Sequence, residues 1–125
     1  MCILLINDVL FDSYTDSAVI YVADREILYA DIYAYVGESV TILCRRSDLK
    51  PVLWQYKHSK EQNVREVYDG KHLYSSYVTK CTINNSTYDL TILEAEVNDT
   101  GEYWCTEDEG FGVKHVTKLY VTGMC

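Results

Sequence analysis

Residues 99–105 read Asp-Thr-Gly-Glu-Tyr-Trp-Cys (DTGEYWC), and this stretch decides the fold. It places Tyr103 two positions before Cys105 and Trp104 between them. A second cysteine, Cys44, ends the alternating stretch ESVTILC, 61 positions earlier. Trp54 follows Cys44 by ten residues, in VLWQYK. Successive side chains on a strand point to opposite faces. Val40, Ile42 and Cys44 therefore share one face, against Thr41 and Leu43. Val52, Trp54 and Tyr56 share one face, against Leu53, Gln55 and Lys57. The apolar side of each strand carries the sulfur or the indole, so Cys44, Cys105 and Trp54 point into one core. Truncating a buried Trp costs on the order of 3–5 kcal/mol. By the same alternation Tyr103 points inward with Cys105, and Trp104 points outward.

The remainder of the chain agrees with an all-β reading. At 125 residues, 48% of them hydrophobic, it is one domain that buries roughly two-thirds of its unfolded surface. Twelve Tyr, one Pro and six Gly fit strands rather than a low-complexity segment. No long stretch carries a 3.6-residue apolar period. From Glu26 onward short strands alternate with turn signals, among them Gly37, HSKEQN, Asp69-Gly70, NNST and EDEGFG, giving about eight strands and no helix. The domain is expected over residues 25–123. Residues 1–24 read as an N-terminal extension, in which SAVIYVA (17–23) is either an extra edge strand, the tail of a preceding module, or part of a poorly ordered arm.

Net charge is −8, and no basic stripe is present, which excludes a nucleic-acid binder. The acidic surface disfavours anionic lipid. The apolar run CILLI (2–6) is too short and wrongly flanked for a signal peptide or a span. His58, His72 and His115 lie on separate strands or loops without metal-ligand spacing, and no phosphate loop or nucleophile elbow occurs. No enzyme activity, cofactor or metal is expected.

At this point the sequence resembles the immunoglobulin superfamily, on the order Cys44…Trp54…Cys105, the LTI of 90–92 with Leu90 in the core, and DTGEYWC. The resemblance covers about residues 32–122 and implies a two-sheet antiparallel sandwich with Greek-key connections. It implies a Cys44–Cys105 bridge between the sheets, whose 61-residue loop is worth about 4 kcal/mol on the chain-entropy estimate. It makes Tyr103 a tyrosine-corner residue that bonds back to upstream backbone, with Gly101 allowing the close approach. It pairs Asp99 with Lys80. An Arg is more usual at that place, so a looser contact is expected.

Within the superfamily the resemblance is to V-set domains. The 35 residues between Trp54 and Leu90 leave room for a C′ strand (64–68), a short C″ strand and a D strand. TKLYV resembles the last V strand, with Leu119 and Val121 inward. Phe111-Gly112 lacks the second Gly of antigen-receptor chains, and YWC is similar to polymeric-immunoglobulin-receptor-like and related leukocyte receptors.

The resemblance implies two binding surfaces. One is the outer G-F-C-C′ face, formed by the strands expected at 113–121 (G), 102–107 (F), 52–57 (C) and 64–68 (C′), around Trp104 with Leu53, Gln55, Lys57, Glu102, Lys118 and Tyr120. The other is the loop cluster RRSDLK (45–50), the turn after Tyr68, and EDEGFG, in which Glu107, Asp108, Glu109 and Phe111 are candidate contacts. There the acidic run would face Arg45 and Arg46. Carboxylates in such a loop could hold Ca²⁺, but a run of three acids is far more often a solvated loop.

Sequons place glycans at Asn84 or Asn85, in a turn, and at Asn98. Of the remaining cysteines, Cys81 reads as a buried thiol acting as a small hydrophobe. Cys125 follows the last strand, where a stalk would begin, and either forms an interchain bridge or merely marks where the chain stops; Cys2 has no assignment.

The expected protein is thus an extracellular, cell-surface fragment of a membrane receptor without its leader and anchor. Its work would be non-catalytic binding of a protein ligand or another V-like domain. The alternative is adhesion or oligomerisation, in which the same face pairs with a second copy.

Overall fold

The structure, a computed structural model, describes residues 16–22, 25–45 and 50–123. Among them run nine strands: β1 (Asp16–Val22), β2 (Arg25–Tyr35), β3 (Val40–Ile42), β4 (Leu53–His58), β5 (Arg65–Tyr68), β6 (Cys81–Ile83), β7 (Leu90–Ile92), β8 (Gly101–Thr106) and β9 (Lys114–Thr122). Three short 3-10 turns, at 75–77, 97–99 and 108–110, are the helical elements among the described residues. The larger sheet has the order β1-β2-β9-β8-β4-β5, and the smaller β3-β7-β6. All neighbours are antiparallel except β2 and β9, which run parallel over nine register pairs from Ile27↔Lys114 to Tyr35↔Thr122.

The core lies between the sheets, where the alternation puts it. Val40, Ile42 and Cys44 are buried, while Thr41 and Leu43 are exposed. Val52, Trp54 and Tyr56 are buried, and so are Leu90, Ile92, Tyr103, Cys105, Leu119 and Val121. Cys44 and Cys105 form a disulfide with their Cα atoms 5.8 Å apart. Trp54 packs in this core, and its Nε1 donates to the Tyr88 carbonyl oxygen at 2.7 Å. Burying the indole therefore leaves no orphan donor.

The turn before β8 is clamped from inside. Tyr103 Oη donates to the Asp99 carbonyl oxygen at 2.8 Å. Tyr56 Oη lies 3.1 Å from the Asn98 carbonyl oxygen and 2.9 Å from that of Thr100. The two rings sit 4.7 Å apart. Gly101 is needed here because a Cβ would lie 2.4 Å from the Lys57 carbonyl oxygen. Lys80 Nζ is 2.9 Å from Asp99 Oδ2 and 3.5 Å from Glu96. The Lys grips one carboxylate oxygen of Asp99, where an Arg would offer two parallel donors, and Glu96 supplies the second acid.

Between β5 and β6 the chain departs from the expected pattern. The expected C″ strand is reduced to one bridge, Tyr68↔Leu73, beside a bond from Tyr74 N to the Val67 carbonyl oxygen at 2.8 Å. The strand that follows, expected as the D strand, is only three residues long and begins at Cys81. The reason is local. Tyr77 N bonds to the Tyr74 carbonyl oxygen and Lys80 N to that of Tyr77, so successive turns use the groups a strand would offer its neighbour.

Candidate functional site

The outer face of the larger sheet is built in register rows. One runs Gln55, Trp104, Val116, Tyr29 across β4, β8, β9 and β2. The next runs Lys57, Glu102, Lys118, Asp31, so that charge alternates in sign from strand to strand. A third position stacks Tyr33 on Tyr120 with ring centroids 4.9 Å apart, both rings exposed.

Trp104 points outward, as alternation requires, and is half-buried. Its Nε1 donates to Glu102 Oε1 at 2.9 Å. Lys114 Nζ lies 3.3 Å from its ring centroid, a cation–π geometry. Val116 also points outward yet is only 4% exposed, because an aromatic side chain flanks it on either side of its row. Gln55 Nε2 donates to Glu66 Oε2 at 2.7 Å. Leu53 and Lys57 are half-buried and Lys118 is exposed. Sequence reading missed Lys114. Only its position at the start of β9, one strand pair from Trp104, brings the ammonium over the ring.

The loop 107–112 stands beside this face. Glu107 N bonds to the Val113 carbonyl oxygen, and Gly110 N and Gly112 N to that of Glu107. Glu109 N bonds to the Pro51 carbonyl oxygen at 3.0 Å, and Lys50 Nζ reaches Asp108 at 3.3 Å. Asp108, Glu109 and Gly110 have φ of 54°, 53° and 101°, a left-handed run that suits glycine and strains the two acids. The loop presents Phe111 at its tip, 83% exposed.

Glu107 is a correction to the expected loop surface. It is 3% exposed, and its Oε2 lies 2.7 Å from Nε2 of the equally buried His115. Glu107 is still extended and continues the inward alternation of Tyr103 and Cys105, and the left-handed turn after it carries Asp108 and Glu109 to the surface. The cation that meets the acidic run is Lys50. Arg45 is exposed, and Arg46 lies outside the described residues, as do Cys2, CILLI and Cys125. In the turn after Tyr68, the Asp69 carboxylate accepts from His72 N at 2.7 Å and Lys71 N at 2.8 Å. Those bonds hold its pKa below the ordinary carboxylate range.

No group of three or more His, Cys, Asp or Glu side chains among the described residues could hold a metal ion. His58 Nε2 is 3.0 Å from Asn98 Oδ1. Cys81 is a free, buried thiol, and burial pushes its pKa up to about 12. Asn84, Asn85 and Asn98 are all exposed. Asn84 Oδ1 accepts from Ser86 N and Thr87 N, which organises the turn around that sequon. No helix among the described residues is long and apolar enough to cross a membrane.

No curated protein matches the chain. Among solved structures it is similar to a chain from a photo-crosslinking study of the multimeric cell-adhesive interactions of VGSC beta subunits. That chain is 18% identical, with a TM-score of 0.57 over 74% of this chain and 91% of the other. At that identity the likeness is one of fold. The family model of the immunoglobulin domain matches residues 30–117, the span that holds the Cys44–Cys105 bridge, Trp54 and the Tyr103 corner, and the chain belongs to the immunoglobulin domain family.

Proposed function

We propose that residues 25–123 form a V-set domain that serves as the ligand-recognition ectodomain of an immune-type cell-surface receptor, binding a protein ligand without catalysis. The single observation that carries this is Trp104. It is a large aromatic side chain, half-exposed on the outer face of the larger sheet and held in place by Glu102 and Lys114. Rigid aromatic anchors of this kind dominate protein interfaces. Leu53, Gln55, Lys57 and Lys118 share its face, and Asp108, Glu109 and Phe111 adjoin it. What supports the V-set assignment is β5 at the edge of the larger sheet, with Leu73 and Tyr74 folded back on it. The exposed sequons at Asn84 or Asn85 and at Asn98 are proposed to carry glycans.

The test is a surface-plasmon-resonance screen of the domain against an array of purified cell-surface ectodomains. Binding weakened about tenfold or more by Trp104→Ala, with an unchanged melting curve, supports the reading. Binders indifferent to both Trp104→Ala and Phe111→Ala, or a collapsed melt of Trp104→Ala, count against it.

A second reading, adhesion through self-pairing of this face, rests on the row Lys57, Glu102, Lys118, Asp31. A two-fold axis along the strands between β8 and β9 would set Glu102 against the partner's Lys118, and Lys57 against the partner's Asp31. The row is thus complementary to itself. Self-association in the ultracentrifuge that Trp104→Ala or Lys118→Glu abolishes would favour this reading over a heterologous ligand.

A further inference from the structure

The outer face of the smaller sheet differs in kind from that of the larger. Its outward strand positions are Thr41 on β3, Thr91 on β7 and Thr82 on β6, which stand in one register row. Thr41 Oγ1 and Thr91 Oγ1 are 2.9 Å apart. Leu43, just beyond β3, is 48% exposed. The charges at the rim are tied to other groups. Asp89 Oδ1 accepts from Cys44 N at 2.7 Å, and Lys80 Nζ meets Asp99 and Glu96. In a chain of net charge −8, an exposed face of methyl and hydroxyl groups marks a contact surface. Asn84 stands at its rim. Asn84 N bonds to the Asp89 carbonyl oxygen at 3.0 Å, and the Asn84 carbonyl oxygen accepts from Tyr88 N at 2.8 Å. Its Oδ1 accepts from Ser86 N at 2.7 Å and Thr87 N at 2.9 Å. The side-chain amide is thus held by its oxygen, which leaves Nδ2 for substitution. Asn85 follows at the exposed tip of the turn.

We propose that Asn84, rather than Asn85, carries an N-linked glycan, and that the inner sugars of this glycan lie across the threonine row against Leu43. The proposal rests on the reading above that the domain is an extracellular one whose sequons are used. In the transfer, Asn84 Nδ2 forms a bond to C1 of the first sugar, the C1–O bond to a lipid diphosphate oligosaccharide donor breaks, and the displaced amide proton leaves to a base. Oδ1 keeps both of its bonds. A sugar on Asn85 starts from the turn tip, beyond the sheet. One on Asn84 starts beside Asp89, whose carboxylate reaches across to the backbone next to Leu43. Three strands span about 10 Å, a width the inner sugars of such a glycan cover. A pyranose ring presents C–H groups on its faces and hydroxyls at its edge. The first match the Leu43 and Thr methyl groups, and the second keep hydrogen bonds with the Thr hydroxyls and water. The turn is bound to the core through Trp54 Nε1 and the Tyr88 carbonyl oxygen, so restraint of the sugar stabilises the domain. The glycan covers the smaller sheet and leaves the face around Trp104 bare for recognition.

The experiment secretes the full chain from cultured animal cells behind a cleavable leader, with Asn98→Gln throughout so that the 84–87 turn holds the sequons under test. Each chain is made with and without an inhibitor of donor synthesis, which compares one amino-acid sequence in two forms. Enzymatic release of the glycan in heavy-oxygen water marks the asparagine that carried it, and the mark falls on Asn84. The glycosylated form melts about 2–4 °C higher than the bare one. Leu43→Glu, a change at an exposed position, abolishes that gain, and nuclear Overhauser contacts join the first sugar's N-acetyl methyl to the Leu43 methyls. A glycan on Asn84 whose gain survives Leu43→Glu and which makes no contact with Leu43 overturns the packing, while the use of the sequon stands. A mark on Asn85 alone overturns the assignment to Asn84. No mark in the turn shows that the sequon reading itself fails, and the proposal falls with it.

Discussion

Tyr103 donates its hydroxyl to the carbonyl oxygen of Asp99 at 2.8 Å, across the turn that leads into β8. The same Asp99 turns its carboxylate to Lys80 on one side and to the backbone N–H of Glu96 on the other. The corner is thus held by a neutral bond within the core and by an ion pair at its rim. Tyr103→Phe removes the neutral bond alone, with an expected cost of about 0.5–1.5 kcal/mol. Urea denaturation should show a lower midpoint at an unchanged slope. A variant as stable as the parent would mean the hydroxyl contributes nothing net.

Stability should fall on the alkaline side. Burial raises the pKa of Tyr103, aided by the neighbouring Tyr56 and Asp99, and burial also raises Tyr56, Tyr68 and Tyr77. An unfolded Tyr loses its proton near pH 10 while the folded one keeps it, so stability falls as pH rises beyond that point. Cys81 acts in the same direction from about pH 9, the ordinary thiol range, up to its folded value of about 12. Burial opposes the charge on Lys80, but the bond to Asp99 and the charges of Asp99 and Glu96 outweigh it and leave the pKa raised. Its contribution is present below the unfolded pKa and is lost as pH passes above the folded one. Melting temperature should therefore hold to about pH 9 and then drop steeply. A curve flat to about pH 11 would contradict these burial effects.

Cys81 should be silent toward thiol reagents in the folded state, because a buried thiol of high pKa supplies almost no accessible thiolate. In a chain with Cys2→Ser and Cys125→Ser, a disulfide-exchange reagent at pH 8 should find no reactive thiol until urea unfolds the domain. Cys81→Ser should cost about 1–3 kcal/mol, since it sets a hydroxyl in an apolar site. Rapid labelling of the native chain would show the site open.

Two acids in one loop should behave oppositely. Glu107→Ala takes from the buried His115 imidazole its hydrogen-bond partner at 2.7 Å and should destabilise by about 1–3 kcal/mol. Glu109→Ala removes an exposed side chain and should stay within about 0.5 kcal/mol. Equal effects in thermal melts would remove the distinction between a buried and a surface carboxylate.

The left-handed run gives a prediction of opposite sign. Glu109→Gly relieves a side chain at φ 53° and should stabilise by up to about 1 kcal/mol. Gly110→Ala places a Cβ at φ 101° and 2.8 Å from Leu53 Cδ1, and should destabilise by about 1–3 kcal/mol. Differential scanning calorimetry of both variants checks the pair. A drop in melting temperature for Glu109→Gly would mean that the glutamate makes a contact the backbone argument leaves out.

What the amino-acid sequence determined by itself is the sandwich and its seam. A period of two residues assigns each side chain to a face without knowledge of its neighbours. It sends Cys44, Trp54, Tyr103 and Cys105 inward and Trp104 outward, and the structure places them so. What only the tertiary structure decided lies where period ends and path begins. Three consecutive acids read as a solvated loop, because composition does not say where extended backbone stops and the turn begins. Glu107 prolongs the inward row of Tyr103 and Cys105 past the end of β8 to meet His115, eight residues away, before the left-handed backbone at 108–110 turns the next two acids outward. Lys114 reaches the Trp104 ring only because β9 lies beside β8. The chain after β5 winds into turns rather than a C″ strand, because i-to-i+3 bonds satisfied its backbone first. Alternation is a property of one strand and is legible in it. Loop conformation and pairing across strands arise from contacts between distant segments, and no single stretch contains them.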